Sequence, residues 1–216
     1  MMPLRAFTVH GYRCHMAAVP PLYPQTPMFD WDWYEDRRLR LLANGVRGNV
    51  LDVGYARKPN PHFSADARVT GIDLKTAEFV PGYVEQLVGD VVDCAKLDDR
   101  FFDVVVAGEV IEHVEDPYRF LRGLRQRLQP TGTLRLSTPN PLGFPVIALE
   151  LLRSKRYFYA DDHTHYFLPR WVERMLERTG FREIELRPVG LWLPPIPIPW
   201  SPTSLSYQLV YSAVRS

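Results

Sequence analysis

Two carboxylates stand at the ends of apolar runs: Asp52 in Asn49-Val50-Leu51-Asp52-Val53-Gly54, and Asp73 in Val69-Thr70-Gly71-Ile72-Asp73-Leu74. A buried parallel strand reads as a near-continuous apolar run. It delivers its polar groups to the C-terminal edge of the sheet, where open α/β folds bind ligands. A glycine at such a strand end, Gly54, lets backbone approach a ligand closely. An acidic residue closing the next strand, Asp73, can accept both hydroxyls of a ribose. The pair predicts a nucleoside-bearing cofactor.

The residues after Gly54 narrow the choice. A dinucleotide site needs further glycines there, so that pyrophosphate can sit on a helix N-terminus. Here Tyr55-Ala56-Arg57-Lys58-Pro59 follows, and the next glycine is Gly71. That disfavours NAD, FAD and any phosphate cradle. A cofactor without phosphates fits better, and S-adenosylmethionine is the common one.

The elements that must position these groups follow from periodicity. Phe29 to Asn44 reads as an amphipathic helix stopped by Gly45. Strands are expected at Val50–Val53, Arg68–Leu74, within Tyr83–Val88, at Phe102–Ala107, Thr133–Thr138, Phe181–Leu186 and Tyr207–Val214. Asp116-Pro117 places an N-cap before a first-turn proline, opening a helix with the stripe Phe120, Leu121, Leu124 and Leu128 that Pro130-Thr131-Gly132 ends. Pro169 opens another helix, carrying Val172, Met175 and Leu176 and stopped by Gly180. The crossover after Gly54 is too short and too proline-rich, with Pro59 and Pro61, for a full helix. The alternation predicts an α/β fold, a doubly wound and mostly parallel seven-stranded sheet with an antiparallel last strand.

Composition excludes several classes. The 216 residues, 46% apolar and 24% charged, fit one globular domain with an ordinary core. A formal net charge of +1 gives no footprint for nucleic acid. Cys14 and Cys94 form no metal or redox pattern, so a reduced, cytoplasmic protein is expected. No apolar run is long enough to span a bilayer, and the N-terminus lacks a signal-like core. Pro20, Pro21, Pro24 and Pro27 make residues 1–27 an irregular extension, and Met28 is a candidate natural start.

Read in order, the segments resemble the class I S-adenosylmethionine-dependent methyltransferases, in particular the ubiquinone-methyltransferase-like small-molecule group. The resemblance spans roughly residues 30 to 186. Val50-Leu51-Asp52-Val53-Gly54 and Gly71-Ile72-Asp73-Leu74 are similar to the first two cofactor motifs, and Gly89-Asp90 to the adenine-side turn. Phe102-Asp103-Val104-Val105 with Gly108-Glu109-Val110-Ile111-Glu112-His113-Val114 is similar to the fourth-strand motif. Leu128-Gln129-Pro130-Thr131-Gly132-Thr133-Leu134 with Ser137-Thr138-Pro139-Asn140 leads into the fifth strand, and Phe167 to Phe181 resembles the late helix. The resemblance implies one methyltransferase domain over 28–216 with a lid-like insertion at about 141–166. It implies that Asp52 and the Gly54 backbone face the methionine end of the cofactor and that Asp73 takes the ribose hydroxyls. Asp90 and the Val91 N–H would read adenine, and Glu109 would lie nearest the transferred methyl. The chain departs from the family where Ala56 and Lys58 replace two glycines; Tyr55 and Ala56 are expected to make the loop bulkier and stiffer on its ligand side, which opens the reading of a non-catalytic binding subunit.

Methyl transfer from a sulfonium is an in-line displacement in which protein mainly positions the acceptor and excludes water. An oxygen acceptor can also need a base. His113, His163 and His165 are the candidates, with Glu109, Glu112, Asp161 and Asp162 beside them. His113 can equally cap or pack under its loop, and 161–166 can be plain loop. His-x-His with acids is also a metal pattern, but no third ligand is spaced for it and no metal is expected. Trp33 and Tyr34 either close over the cofactor or belong to the core. Leu142 to Tyr159 is apolar and suggests a lipophilic acceptor, a peripheral membrane contact or a lid packed on its own domain. Leu191 to Trp200 reads as a structural crossover or a polyproline ligand. The expected function is methyl transfer to a small-molecule or glycan-like acceptor at oxygen, with an NAD(P)-dependent oxidoreductase as the rival the missing glycines disfavour.

Overall fold

The computed structural model describes residues 31–76, 78–144, 147, 163–193 and 196–216, and every statement below concerns these. The expected N-terminal extension, most of the lid-like insertion, Asp161 and Asp162 lie outside them. The chain order is helix α1 (Trp31–Ala43), strands β1 (Gly48–Val53), β2 (Ala67–Asp73), β3 (Tyr83–Val88) and β4 (Phe102–Gly108), then helix α2 (Pro117–Gln126) and strand β5 (Leu128–Pro139). Helix α3 (Pro169–Arg178) and strands β6 (Phe181–Pro188), β7 (Leu191–Leu193), β8 (Ile196–Ile198) and β9 (Gln208–Arg215) complete it.

Seven strands form one sheet in the order β3-β2-β1-β4-β5-β9-β6. The pairs β1–β2, β1–β4, β2–β3 and β4–β5 are parallel, while β9 runs antiparallel to both β5 and β6. The expected sheet and its antiparallel last strand are therefore present. Its centre is apolar on both faces because it is covered on both. On one face Leu51, Val53, Val105 and Ala107 pack with Phe120, Leu121 and Leu124 of α2 and Val172 and Leu176 of α3. On the other, Val50, Val69, Val106 and Val210 pack with Tyr34 and Leu42 of α1. Asp116 caps α2 by accepting the Arg119 N–H at 2.9 Å, ahead of Pro117 at the first turn.

The link from Gly54 to β2 contains turns and no helix, as its length and prolines require. Two differences from expectation have local causes. Strand β5 begins at Leu128, before Pro130-Thr131-Gly132, because Leu128 already pairs with Phe102. The extra residues are absorbed where register shifts and Thr131 takes a φ of +64°. The described part of the proline-rich stretch, which leaves out Pro194 and Pro195, is a ribbon rather than a polyproline helix. Its β7 and β8 form a two-stranded ribbon with Leu191 opposite Ile198, a setting that tolerates Pro197 because the pair carries no central strand. This ribbon is the crossover from β6 to β9. Arg37 of α1 donates to the carbonyls of Val189 and Pro199 and ties it down.

Candidate active site

The C-terminal ends of β1, β2 and β4 lie side by side, with Asp52 opposite Gly71 and Val106 and Asp73 opposite Val88. At the tip of β1, Gly54 adopts a φ of +77°, and a Cβ there would stand 2.5 Å from the Val110 side chain. Only glycine tolerates both conditions. Tyr55 does not stiffen the ligand side of this loop. It is 2% exposed, stacks on Tyr83 at 5.2 Å and accepts a hydrogen bond from Gln86, so its bulk goes into the core beneath Gly71.

Asp73 is held by the two backbone amides of Ala56 at 3.0 Å and Lys75 at 2.9 Å, one per carboxylate oxygen. Each oxygen keeps a lone pair for a further donor, and the carboxylate stands half-exposed at the strand tip. Asp90 forms a local turn by accepting the Val92 N–H at 2.8 Å, and Val91 is buried beside it. Asp52 points elsewhere. It is 5% exposed and accepts the Tyr83 hydroxyl at 2.5 Å, and burial pushes its carboxyl up to about 7.

Past β4, Glu109 adopts a φ of +55°. Its oxygens accept the Ser137 hydroxyl at 2.9 Å and the Gln208 amide at 3.1 Å. Beneath lies Arg38 of α1, which passes under β4 because Gly108 carries no side chain: a Cβ there would stand 2.5 Å from the guanidinium. Arg38 pairs with Glu35 at 2.7 Å and approaches Ser137 at 3.3 Å. Burial works against its charge, but Glu35, then Glu109, and Glu112 more weakly, keep it protonated. Burial raises the Glu109 carboxyl against the pull of Arg38.

Glu112 is 1% exposed, and neither carboxylate oxygen has a hydrogen-bond partner of good geometry. Burial, then repulsion from Glu109, raises its carboxyl well above the ordinary range. Its backbone carbonyl accepts the N–H groups of Thr164 and His165 and the Thr164 hydroxyl. These bonds dock residues 163–166 against the turn after β4. As a result the rings of His113 and His163 lie 4.6 Å apart, and ligand atoms of Glu112, His113 and His163 fall within 4.8 Å of one another. A carboxylate with two imidazoles can relay a proton or hold a divalent cation. His165 is not part of this cluster; it stacks on Phe167 and bonds to Thr164.

Residues at this edge suit an adenosyl group bearing an ammonium and a sulfonium. Carboxylates stand at the strand tips, and no row of glycines follows Gly54 to cradle a phosphate. Residues 32–186 match the family model described as a methyltransferase domain. The chain belongs to the class I S-adenosylmethionine-dependent methyltransferases. It is 27% identical over 185 residues to a ubiquinone biosynthesis O-methyltransferase of Cereibacter sphaeroides, covering 82% of this chain and 74% of the relative. A ubiquinone biosynthesis O-methyltransferase of Rickettsia bellii is 33% identical over 160 residues, 69% of this chain and 64% of the relative. The fold of this methyltransferase matches a possible histamine N-methyltransferase of Thermotoga maritima, with a TM-score of 0.66, 16% identity and coverage of 86% and 90% of the two chains. It also matches the 1,6-didemethyltoxoflavin-N1-methyltransferase of Burkholderia thailandensis, with a TM-score of 0.59, 16% identity and coverage of 86% and 81%. No helix among the described residues is long and apolar enough to cross a membrane.

Sequence reasoning missed Tyr83, Arg38, Glu35, Ser137 and Gln208. Two of these carried a signal: Ser137 and Gln208 are polar residues inside runs that otherwise read as buried strand.

Proposed function

We propose that this methyltransferase acts on oxygen of a hydroxylated small molecule, with Glu112, His113 and His163 at the acceptor side. The observation that carries this reading is the approach of two imidazoles to a buried carboxylate just beyond Glu109. An amine can attack as the free base, whereas a hydroxyl must lose its proton as it attacks, and this cluster can take it. The names of the two ubiquinone biosynthesis relatives, which specify O-methylation, point the same way.

In this reading the cofactor supplies an electrophilic methyl on a sulfonium. Asp73 holds the ribose hydroxyls, while Asp90 and the Val91 N–H face adenine. Glu109 and the Gly54 backbone hold the methionine end, with Asp52 behind them as buried support. His113 or His163 would accept the acceptor's hydroxyl proton as its oxygen took the methyl, the electron pair of the broken carbon–sulfur bond remaining with the cofactor's sulfur. Rate comes mainly from alignment and exclusion of water.

The test is an S-adenosylhomocysteine release assay on matched phenol, aliphatic alcohol and amine panels, with mass spectrometry locating the methyl. Turnover of hydroxyl acceptors that falls in His113→Ala and His163→Ala supports the reading. Turnover confined to amines overturns it.

A further inference from the structure

Gln208 opens β9 and is 2% exposed, ahead of the equally buried Leu209, Val210 and Tyr211. A primary amide in such a run is costly unless its hydrogens are used. Both are used here. The Gln208 Nε2 donates to Glu109 at 3.1 Å and to Glu35 at 3.3 Å. An ionised carboxylate only accepts hydrogen bonds, so with Glu35 held ionised by Arg38 the NH2 end of the amide is the one that faces this pair.

Ser137 acts on the same residue from β5. Its hydroxyl donates to the other Glu109 oxygen at 2.9 Å, and its carbonyl and hydroxyl oxygens accept the Glu109 N–H at 3.1 and 3.2 Å. Glu109 needs this restraint. A non-glycine residue at φ +55° is strained and persists only where its surroundings hold it. The pull of Arg38 on Glu109 comes from beneath, where Arg38 is already paired to Glu35. The direction of the Glu109 carboxylate is therefore set by its two neutral donors, one on each of the adjacent strands β5 and β9.

We infer that Gln208 and Ser137 are positioning residues for methyl transfer, together occupying both oxygens of Glu109 and holding its carboxylate toward the cofactor's methionine end. The inference rests on the proposed role of Glu109. Neither residue touches cofactor or acceptor; both act through Glu109.

The test is calorimetry with S-adenosylhomocysteine on the full chain, in wild-type and Glu109→Ala backgrounds. Gln208→Leu should weaken binding about tenfold in the wild-type background and hardly at all without Glu109, the non-additivity expected of residues acting through one contact. Ser137→Ala removes a single buried oxygen and guards against misfolding; it should show the same dependence on Glu109. In turnover, both variants should raise KM for S-adenosylmethionine and leave the acceptor KM unchanged, a split that general loosening of the sheet would not produce. Equal losses in both backgrounds, or no loss in the first, overturn the inference and leave the cofactor site standing. A wild-type chain that binds no S-adenosylhomocysteine overturns the proposed site, and this inference with it.

Discussion

Tyr83 of β3 donates its hydroxyl to Asp52 of β1 at 2.5 Å, reaching across β2 on the α1 side of the sheet. The Tyr83 ring is in turn stacked on Tyr55, the residue that follows Gly54. The tip of β1 is thus fixed from below by a buried acid rather than by a glycine-rich turn, and the acid carries an energetic consequence.

Burial raises the Asp52 carboxyl from 3.8 to about 7. The unfolded chain ionises it near the lower value, so between about pH 4 and pH 7 the unfolded state binds fewer protons than the native state. Stability from this group is full below pH 4 and is lost as pH rises to 7, by ~4 kcal/mol at most. Asp52→Asn lacks the ionisation. Urea denaturation across this range should show wild type losing ground to the variant as pH rises, with no further change above pH 8. A constant difference between the two would contradict the buried acid.

Arg38→Met leaves Glu35, Glu109 and Glu112 without their buried cation. Removing one partner of a buried ion pair costs about 3–5 kcal/mol at neutral pH. Lowering the pH to 5 protonates the stranded carboxylates and should recover part of that loss, read as a smaller gap in denaturation midpoint between variant and wild type. A gap that widens at pH 5 would place the carboxylates elsewhere.

Asp73→Ala removes the proposed partner of two ribose hydroxyls. Charge-assisted hydrogen bonds of this kind amount to about 1.5–3 kcal/mol each, so S-adenosylhomocysteine affinity should fall about 100-fold by calorimetry. Undiminished affinity would move the pocket.

His113→Ala and His163→Ala should lower kcat toward hydroxyl acceptors by about 100-fold, the ordinary scale of general base catalysis. Affinity for S-adenosylhomocysteine should stay near wild type, because neither imidazole is placed at the cofactor. Loss of cofactor affinity in step with kcat would instead indicate a structural role.

Gly71→Ala pushes a methyl group to 2.7 Å from the Tyr55 ring. Such overpacking costs about 1–3 kcal/mol. Thermal denaturation should show the cost largely removed when Tyr55→Leu is combined with it, since the two changes share one space.

Periodicity read the sheet well because its strands are apolar on both faces and its helices carry distinct stripes. Val104, Val105 and Val106 mark β4 with no knowledge of their neighbours, and Asp116-Pro117 marks the start of α2 from local chemistry alone. Thr131 and the Ile196-Pro197-Ile198 segment were harder. Whether a proline or a left-handed residue ends an element or sits within one depends on which strand lies opposite, and that partner is distant in the chain.

The candidate site divides in the same way. Gly54 and Asp73 are candidates because strand ends place them at fixed offsets from apolar runs, whereas Asp90 and Glu109 enter as candidates through the family resemblance. Tyr55 was misjudged, because an aromatic residue in a turn can face ligand or core, and only the room that Gly71 leaves beneath it decides which.

Order along the chain therefore determined the layered fold, the glycine at the tip of β1 and the row of acids along the sheet edge, since each follows from local pattern and backbone geometry. Tertiary structure alone decided that Gln208 of β9 and Ser137 of β5 meet at Glu109, that Arg38 of α1 runs beneath Gly108, and that His163 approaches His113 and Glu112. Those meetings join residues 28 to 173 positions apart, such as Ser137 with Glu109 and Gln208 with Glu35. Long-range packing of side chains from separate elements brings them together, and no local spacing encodes it.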